Sequence, residues 1–365
     1  MRIRHLALQH FRNLELTRLE LGGGRLFLLG PNGMGKTNFL EALGFITALR
    51  SFRSSESRVL IAQGQGEATL VFELEHERQG ATRLQITLRG DGKEVTVDET
   101  RVGRLADFVG LFPTVVFSSQ DHQLIRGAPG GRRRWLDLSL SAVDADYLRA
   151  LQAYHRALED RNTLLKRGTQ GAELTAFDRA MAPAASLIVA RRAAGLAAFA
   201  QSLTEAYALI ADHAEPAAFA YAPDWEGGSA EAFVERLAKN RERDLRQRST
   251  SCGPHRDDFE FTLQGRQAKD FASEGQQRLL VIALRLAQAA WFREKSGLRP
   301  VILADDVVGE LDPQRRARFW KAIDPEAQII ATGTELPPEL PGDWRVLRVE
   351  NGALVPHAPV TEAPF

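Results

Sequence analysis

Residues 30 to 37 read Gly30-Pro31-Asn32-Gly33-Met34-Gly35-Lys36-Thr37, a glycine-rich run that closes on Lys-Thr with the spacing G-x-x-x-x-G-K-[ST]. Upstream, the apolar run Arg25-Leu26-Phe27-Leu28-Leu29 follows Gly22-Gly23-Gly24 and predicts a short buried strand leaving a turn. Downstream, Phe39, Leu40, Leu43 and Ile46 recur at helical spacing. Strand, glycine loop and helix is the setting in which this pattern holds phosphate. The loop's N–H groups turn inward, and the helix N-terminus adds a favourable partial charge. There Lys36 would reach the β- and γ-phosphates of ATP, and Thr37 would offer its hydroxyl to Mg2+.

The rest of the composition bounds what surrounds this loop. At 365 residues the chain has room for two or three domains, and 44% hydrophobic with 26% charged residues is ordinary for a globular protein. A single cysteine, Cys252, excludes a disulfide framework and a cysteine-rich metal site, which fits a reducing cytoplasm. No uninterrupted apolar run approaches the roughly 18 residues of a membrane span. The first residues enter an alternating, strand-like segment rather than a signal peptide. With 47 basic and 47 acidic residues the net charge is zero, so any nucleic-acid contact must come from local patches.

Along the chain, Leu6, Leu8, Leu14, Leu16, Leu19 and Leu21 alternate with polar residues as half-buried strands do. Residues 68–74 and 83–88 predict further strands, Gly90-Asp91-Gly92 a hairpin, 95–97 its return and 113–117 a buried strand. From about 130 to 250 the texture becomes helical. Tyr147, Leu151, Tyr154, Leu158 and Leu165 share one face, Leu196, Phe199, Leu203 and Tyr207 another, and a third helix is expected from Glu231 to Arg248. Strands are expected again at 259–263, 301–304, 329–332 and 345–349, with a long apolar helix over 279–292.

Two further segments bear on the loop. Val301-Ile302-Leu303-Ala304-Asp305-Asp306 is an apolar strand ending in paired carboxylates. Asp305 would hold Mg2+, directly or through water, and Asp306 stands where a carboxylate could orient an attacking water. Phe271-Ala272-Ser273-Glu274-Gly275-Gln276-Gln277-Arg278 opens the helix at 279. Ser273 with Gln276 three residues on is the pattern of an ordinary capping box. It is equally the pattern of a signature loop, whose hydroxyl, glycine N–H and helix N-terminus bind a γ-phosphate held on another subunit.

Taken in order, these motifs resemble an ABC-type ATPase head split by an insertion, and finer text is similar to the RecF recombination-mediator family. Ser51-Phe52-Arg53, Gly127-x-Pro129-x-x-Arg132-Arg133-x-x-Leu136-Asp137, Arg161-Asn162-x-Leu164-Leu165-Lys166, Gly253-Pro254-His255-Arg256-Asp257-Asp258 and Gly309-Glu310-Leu311-Asp312 carry the resemblance across the whole chain. It implies an α/β P-loop head, a mixed sheet with flanking helices, divided by an all-α insertion. Residues 1–125 would form the N-terminal half, 126–250 the insertion, and 251–365 the C-terminal half. It implies a cytoplasmic protein that binds single-stranded, gapped or duplex DNA and pairs with a second copy on ATP. It further implies partners of the RecO and RecR type, support of the SOS response, and weak DNA-stimulated ATP hydrolysis.

Carried over residue by residue, Gly30 to Thr37 hold ATP and Thr37 with Asp305 holds Mg2+. Lys36 and Asp306 are catalytic, and Ser273, Gly275 and Gln276 act in trans. Asp312 lies on the loop facing the partner head, and Thr332-Gly333-Thr334 stands where transporter ATPases place a switch histidine. Gln120 is a candidate for the glutamine that touches Mg2+ and water, in a stretch that reads Ser118-Ser119-Gln120-Asp121 where the family often has Ser-Pro-Glu-Asp. Arg53 resembles an arginine placed near nucleotide, or is a surface arginine. The patches Arg132-Arg133-Arg134 and Arg241, Arg243, Arg246, Arg248 either meet DNA phosphates or are solvated helix faces. His255 and Arg256 belong to a turn or to the chemistry. The rival class is a transporter ATPase subunit, which the arginine-rich insertion and the absence of a switch histidine count against.

Overall fold

The structure, a computed structural model, describes residues 1–356 other than 23, 55, 170, 212–214, 308, 310, 338 and 339. Glu310 of the family pattern therefore lies outside the described residues. The chain divides into two compact units, Met1–Gln120 with Gln288–Phe365, and Asp121–Ala287. Residues 251–287, expected in the C-terminal half of the head, fall in the second unit.

The first unit holds two six-stranded sheets. One is antiparallel, built from β1 (Arg2–Phe11), β2 (Leu14–Glu20), β4 (Glu67–His76), β5 (Gly80–Arg89), β6 (Gly92–Val97) and β7 (Thr100–Arg101) in the order β2-β1-β4-β5-β6-β7. The other contains β3 (Arg25–Leu29), β8 (Thr114–Ser118), β12 (Val301–Asp305), β13 (Ile329–Gly333), β14 (Trp344–Glu350) and β15 (Ala353–Pro356) in the order β15-β14-β3-β13-β12-β8. All its neighbours are parallel except β15, which returns antiparallel along β14. Strands β8 and β12 are buried at every position, which is why they carry the continuous apolar stretches 115–117 and 301–304. Helix α1 (Lys36–Phe45) buries Phe39, Leu40, Leu43 and Phe45 in a core shared with residues of both sheets.

Of the alternating leucines, Leu16 does not face the core. His10 takes a left-handed conformation (φ 54°), after which the inward residues of the hairpin are Phe11 and Leu14, paired with each other. Leu16 pairs with Gln9 and is 71% exposed. A one-residue phase change moves the next alternate residue to the opposite face.

The second unit is mainly helical. It contains α2 (Gln123–Arg126), α3 (Pro129–Ser141), α4 (Ala145–Arg167), α5 (Ala172–Ile210), α6 (Ala230–Gln247), α7 (Ala268–Phe271) and the first part of α8 (Glu274–Ser296). The side chain of Asp144 caps α4 by accepting from Tyr147 N–H, and Gly168 ends it in the left-handed region (φ 74°). The insertion is not helical throughout. Ala217–Ala222 forms β9, which pairs antiparallel with β10 (Asp258–Leu263), itself joined by β11 (Arg266–Gln267). Residues 217–222 do alternate Ala with Phe and Tyr, but the period is too short to stand out beside the alanine-rich helix before it.

Helix α5 bears on the membrane reading. It runs 39 residues through Pro183 and is long and apolar enough to cross a membrane by length and composition, although Arg191 and Arg192 interrupt it. Half of that apolar window is buried in this fold, as in the core helix of a globular unit.

Candidate nucleotide site

The parallel sheet brings the loop and the paired carboxylates into one corner of the first unit. β3 delivers the chain to Gly30, and β13 lies between β3 and β12. Gly30 N–H donates to Gly333 O at 3.1 Å, and a Cβ at Gly30 would stand 2.6 Å from Val349 O, so only glycine fits. Gly33 (φ 83°) and Gly35 (φ 102°) occupy the left-handed region that the turn into α1 requires. Lys36, 3% exposed, folds its Nζ back onto Gly30 O (2.7 Å) and Pro31 O (3.1 Å), within the cradle its ammonium would share with phosphate.

Thr37 Oγ1 donates to Asp305 Oδ1 at 2.9 Å, across 268 residues of sequence. In the sheet register Asp305 stands between Ser118 on β8 and Thr332 on β13. Thr332 Oγ1 donates to the same carboxylate oxygen at 3.0 Å. Burial raises the Asp305 carboxyl above the usual carboxylate range, and the two hydroxyl hydrogen bonds oppose that rise. Asp306 differs in every respect. It turns out of the strand with φ 54°, is partly exposed, and donates its N–H to Thr332 Oγ1 at 3.1 Å. Gln120 is exposed just past the end of β8, with its N–H on Ser118 Oγ at 3.3 Å. Asp312 caps α9 (Pro313–Ala322) and is exposed.

Among the described residues no group of three or more His, Cys, Asp or Glu side chains could hold a metal by itself. A hydroxyl and a buried carboxylate in contact nevertheless suit a hard divalent cation that takes its remaining ligands from phosphate and water. The donor set fits Mg2+ arriving with a nucleotide.

In the second unit, Ser273 and Gln276 form the reciprocal cap. Ser273 N–H donates to Gln276 Oε1 (2.8 Å) and Gln276 N–H to Ser273 Oγ (3.3 Å). Ser273 is exposed, Gly275 half-buried, and the Gln276 amide is held on Glu215. The segment is thus both a helix cap and an outward-facing N-terminus. Gln277 is a structural residue, taking Arg126 Nε on its oxygen at 2.6 Å and bonding the carbonyls of Ala268 and Ala272 with its amide.

Several candidates from sequence turn out to be internal supports. Arg132 is buried, bidentate to Asp258 (2.7 and 2.8 Å) and bonded to Gly127 O, so it is not available to DNA. Arg133 bonds Asp257 O, and Arg241 pairs with buried Asp178. Arg243, Arg246 and Arg248 remain exposed. Arg161 is fully buried between Asp178 and Asp244. His255 is bonded through both ring nitrogens, and Arg256 beside it is exposed.

The sequence reading missed a cluster beside the loop. Glu41, fully buried on α1, binds Arg12 by two hydrogen bonds (2.9 and 2.7 Å), Arg53 (3.2 Å) and the Ser51 hydroxyl. Its signal was a carboxylate inside the apolar run Phe39-Leu40-Glu41-Ala42-Leu43.

The family model for the RecF/RecN/SMC N-terminal domain matches residues 2–335. The chain is 35% identical to the DNA replication and repair protein RecF of Symbiobacterium thermophilum, over 96% of this chain and 97% of that protein. The chain belongs to the RecF family. RecF of Moorella thermoacetica is 36% identical over 92% of this chain and 90% of its own length. A solved structure of the recombination mediator protein RecF with ATP superposes with a TM-score of 0.88 at 28% identity, covering 98% of each chain. An Smc head bound to the winged-helix domain of ScpA matches at a TM-score of 0.54 and 14% identity over 99% and 98%, which shows the shared fold alone. The RecF-type, SMC-related ATPase head is therefore the architecture, and the transporter alternative is not favoured.

Proposed function

We propose that this chain is an ATP-gated DNA-binding protein of recombinational repair and replication. Its relatives are DNA replication and repair proteins, and one solved relative carries ATP. The observation that carries the reading is the Thr37–Asp305 contact beside Lys36, which gathers the parts of a triphosphate site from segments 268 residues apart. Mg2+ bound there would neutralise phosphate charge. Lys36 would exchange its loop carbonyls for the β- and γ-phosphates. Thr332 would hold the Asp305 carboxylate in place and, through Asp306 N–H, fix the turn that aims Asp306 at a water. Gln120, at the end of the strand beside β12, would contact the same region.

The outward-facing helix N-terminus with exposed Ser273 beside Gly275 and Gln276 supports completion of the γ-phosphate face by a second copy of the chain. Nucleotide binding and dimerisation would then be linked, and hydrolysis would reopen the pair. The organisation we assign is a head formed by 1–125 and 251–365 around an insertion at 126–250, working in the cytoplasm on single-stranded, gapped or duplex DNA with RecO- and RecR-type mediators and supporting the SOS response. Sizing the protein with a slowly hydrolysed ATP analogue, with and without gapped DNA, tests this. The expected result is a dimer that requires nucleotide and binds DNA more tightly. A monomer under every condition with unchanged DNA affinity would overturn it.

A further inference from the structure

We propose that a cavity between α9 and the start of β3 is a docking site for an acidic peptide segment of a partner protein. The peptide places one large apolar side chain in the hollow and its carboxylates on Arg25, Arg316 and Lys321. The site is separate from the nucleotide site and does not depend on it.

One face of α9 supplies most of the lining. Arg316, Ala317, Trp320 and Lys321 recur at helical spacing along a cavity of about 280 Å3, and Arg25 and Leu340 complete it from other segments. Ala317 and Lys321 are exposed, so the hollow opens to solvent. Arg25 begins β3 and Gly30 follows its end, which sets the cavity about 16 Å of strand away from the glycine loop.

The wall is preformed. Trp320 packs edge-on against Trp344, with ring centroids 5.2 Å apart, and tilts on Phe319 at 4.9 Å. Trp344 pairs with Arg25 in the sheet register, and its Nε1 donates to Pro341 O at 3.2 Å. Arg25 Nη1 donates to the same carbonyl. A wall fixed in this way spares a ligand the cost of ordering it.

The charge is one-sided. The lining holds three cationic side chains and no carboxylate. Arg25 and Arg316 are bonded to the backbone carbonyls of Pro341 and Leu311, and among the described residues no carboxylate pairs with either of them or with Lys321. A positive patch of this kind is complementary to an anionic partner. Two donors of the lining residues, Trp320 Nε1 and Arg316 Nε, are also buried without an acceptor among the described residues, although Trp320 is only 7% exposed. Such donors are normally satisfied in a folded protein.

Size and lining select the ligand class. The volume lies just under the roughly 300 Å3 at which small-molecule sites begin, and suits one side chain better than a whole cofactor. Ala317, Leu340 and the Trp320 ring offer nothing to a phosphate backbone, which is bound by cations. An apolar side chain flanked by carboxylates uses both the hollow and its charged rim.

The test titrates the full chain, without nucleotide, against fluorescent peptides Gly-Asp-Asp-X-Asp-Asp-Gly in which X is Phe, Leu, Trp or Ala. At least one of the three large residues should bind about tenfold more tightly than Ala, the effect of burying one apolar side chain. Lys321→Glu should weaken that peptide about tenfold by turning attraction into repulsion. Ala317→Trp, which fills the hollow from an exposed position, should abolish binding. If its thermal midpoint shows that Ala317→Trp does not fold, Lys321→Glu and Arg316→Gln decide. Absence of saturable binding below about 1 mM, equal binding of the Ala peptide, or affinity unchanged in these variants would overturn the proposal. Displacement by inorganic phosphate as readily as by unlabelled peptide would make this a small-anion site, and displacement by duplex DNA a nucleic-acid contact. Either result also overturns it.

Discussion

Mild acid should destabilise the second unit through His255 specifically. Its Nε2 lies 3.0 Å from Thr250 O and its Nδ1 2.7 Å from the Tyr154 hydroxyl. A carbonyl only accepts, so Nε2 carries the proton and Nδ1 accepts from Tyr154 O–H. The neutral ring is thereby fully used. Burial pushes His255 down to about 4, with the Thr250 hydrogen bond opposing and the neighbouring Arg256 charge adding to the fall. In the unfolded chain the ring should titrate near the ordinary value of about 6.5. The folded value lies below the unfolded one, so between these pH values the unfolded chain holds more protons. Stability is then present above about 6.5 and lost as pH falls toward 4.

The loss from pH 7 to pH 5 comes to about 2 kcal/mol, approaching about 3 kcal/mol when complete. Urea unfolding followed by fluorescence of the buried Trp135 and Trp225, in wild type and His255→Gln across that pH range, isolates the effect. The variant should be less stable at pH 7 yet depend less on pH, so that the gap narrows by about 2 kcal/mol at pH 5. Parallel pH curves for the two proteins, or a His255 ring that titrates near 6.5 by NMR, would refute the reasoning.

Lys36→Met should abolish nucleotide binding by equilibrium titration while leaving the thermal midpoint near wild type. Asp306→Asn should keep ATP-dependent dimerisation and lower hydrolysis by at least about a hundredfold, the usual contribution of a positioned base; a normal phosphate-release rate would remove Asp306 from that role. Asp305→Asn relieves a buried carboxylate whose pKa burial raises and keeps an oxygen for Thr37 and Thr332, so it should raise the nucleotide-free midpoint while weakening Mg2+-dependent ATP binding. Arg132→Ala leaves Asp258 without its bidentate partner and should cost about 3 kcal/mol in urea unfolding, with any loss of DNA affinity following the unfolded fraction.

The parts legible in sequence were those whose pattern is local. The glycine loop, the apolar strands at 301–305 and 329–333 and the helical faces of α4 and α5 each repeat a period or a spacing within some ten to thirty residues. What escaped depends on distant contacts. Arg132 looked like one of three free arginines because nothing near it in sequence announces Asp258, which is 126 residues away. Leu16 looked buried because the phase change sits in the backbone of His10, a residue with no glycine to mark it. Strand β9 escaped because its partner β10 comes some forty residues later. The same holds for Glu41, where a carboxylate in an apolar helix face reads as an irregularity until Arg12 and Arg53 arrive from two other segments.

The adjacent carboxylates Asp305 and Asp306 stand in two different environments, which suits the two roles we propose for them. Strand geometry sends consecutive side chains to opposite faces, and here the backbone goes further by leaving the strand at Asp306 through a left-handed turn. Asp305 is buried, its Oδ1 taken by two hydroxyls, in surroundings that penalise its charge and so favour any cation that would share it. Asp306 keeps contact with water, the reactant it would orient. Thr332 touches both, accepting the Asp306 N–H on the oxygen whose proton goes to Asp305. A change at the metal corner that moved Asp305 would therefore pull on Thr332 and shift the turn carrying Asp306. By this route occupancy of the phosphate loop would be felt at Asp306, the residue we propose orients the attacking water.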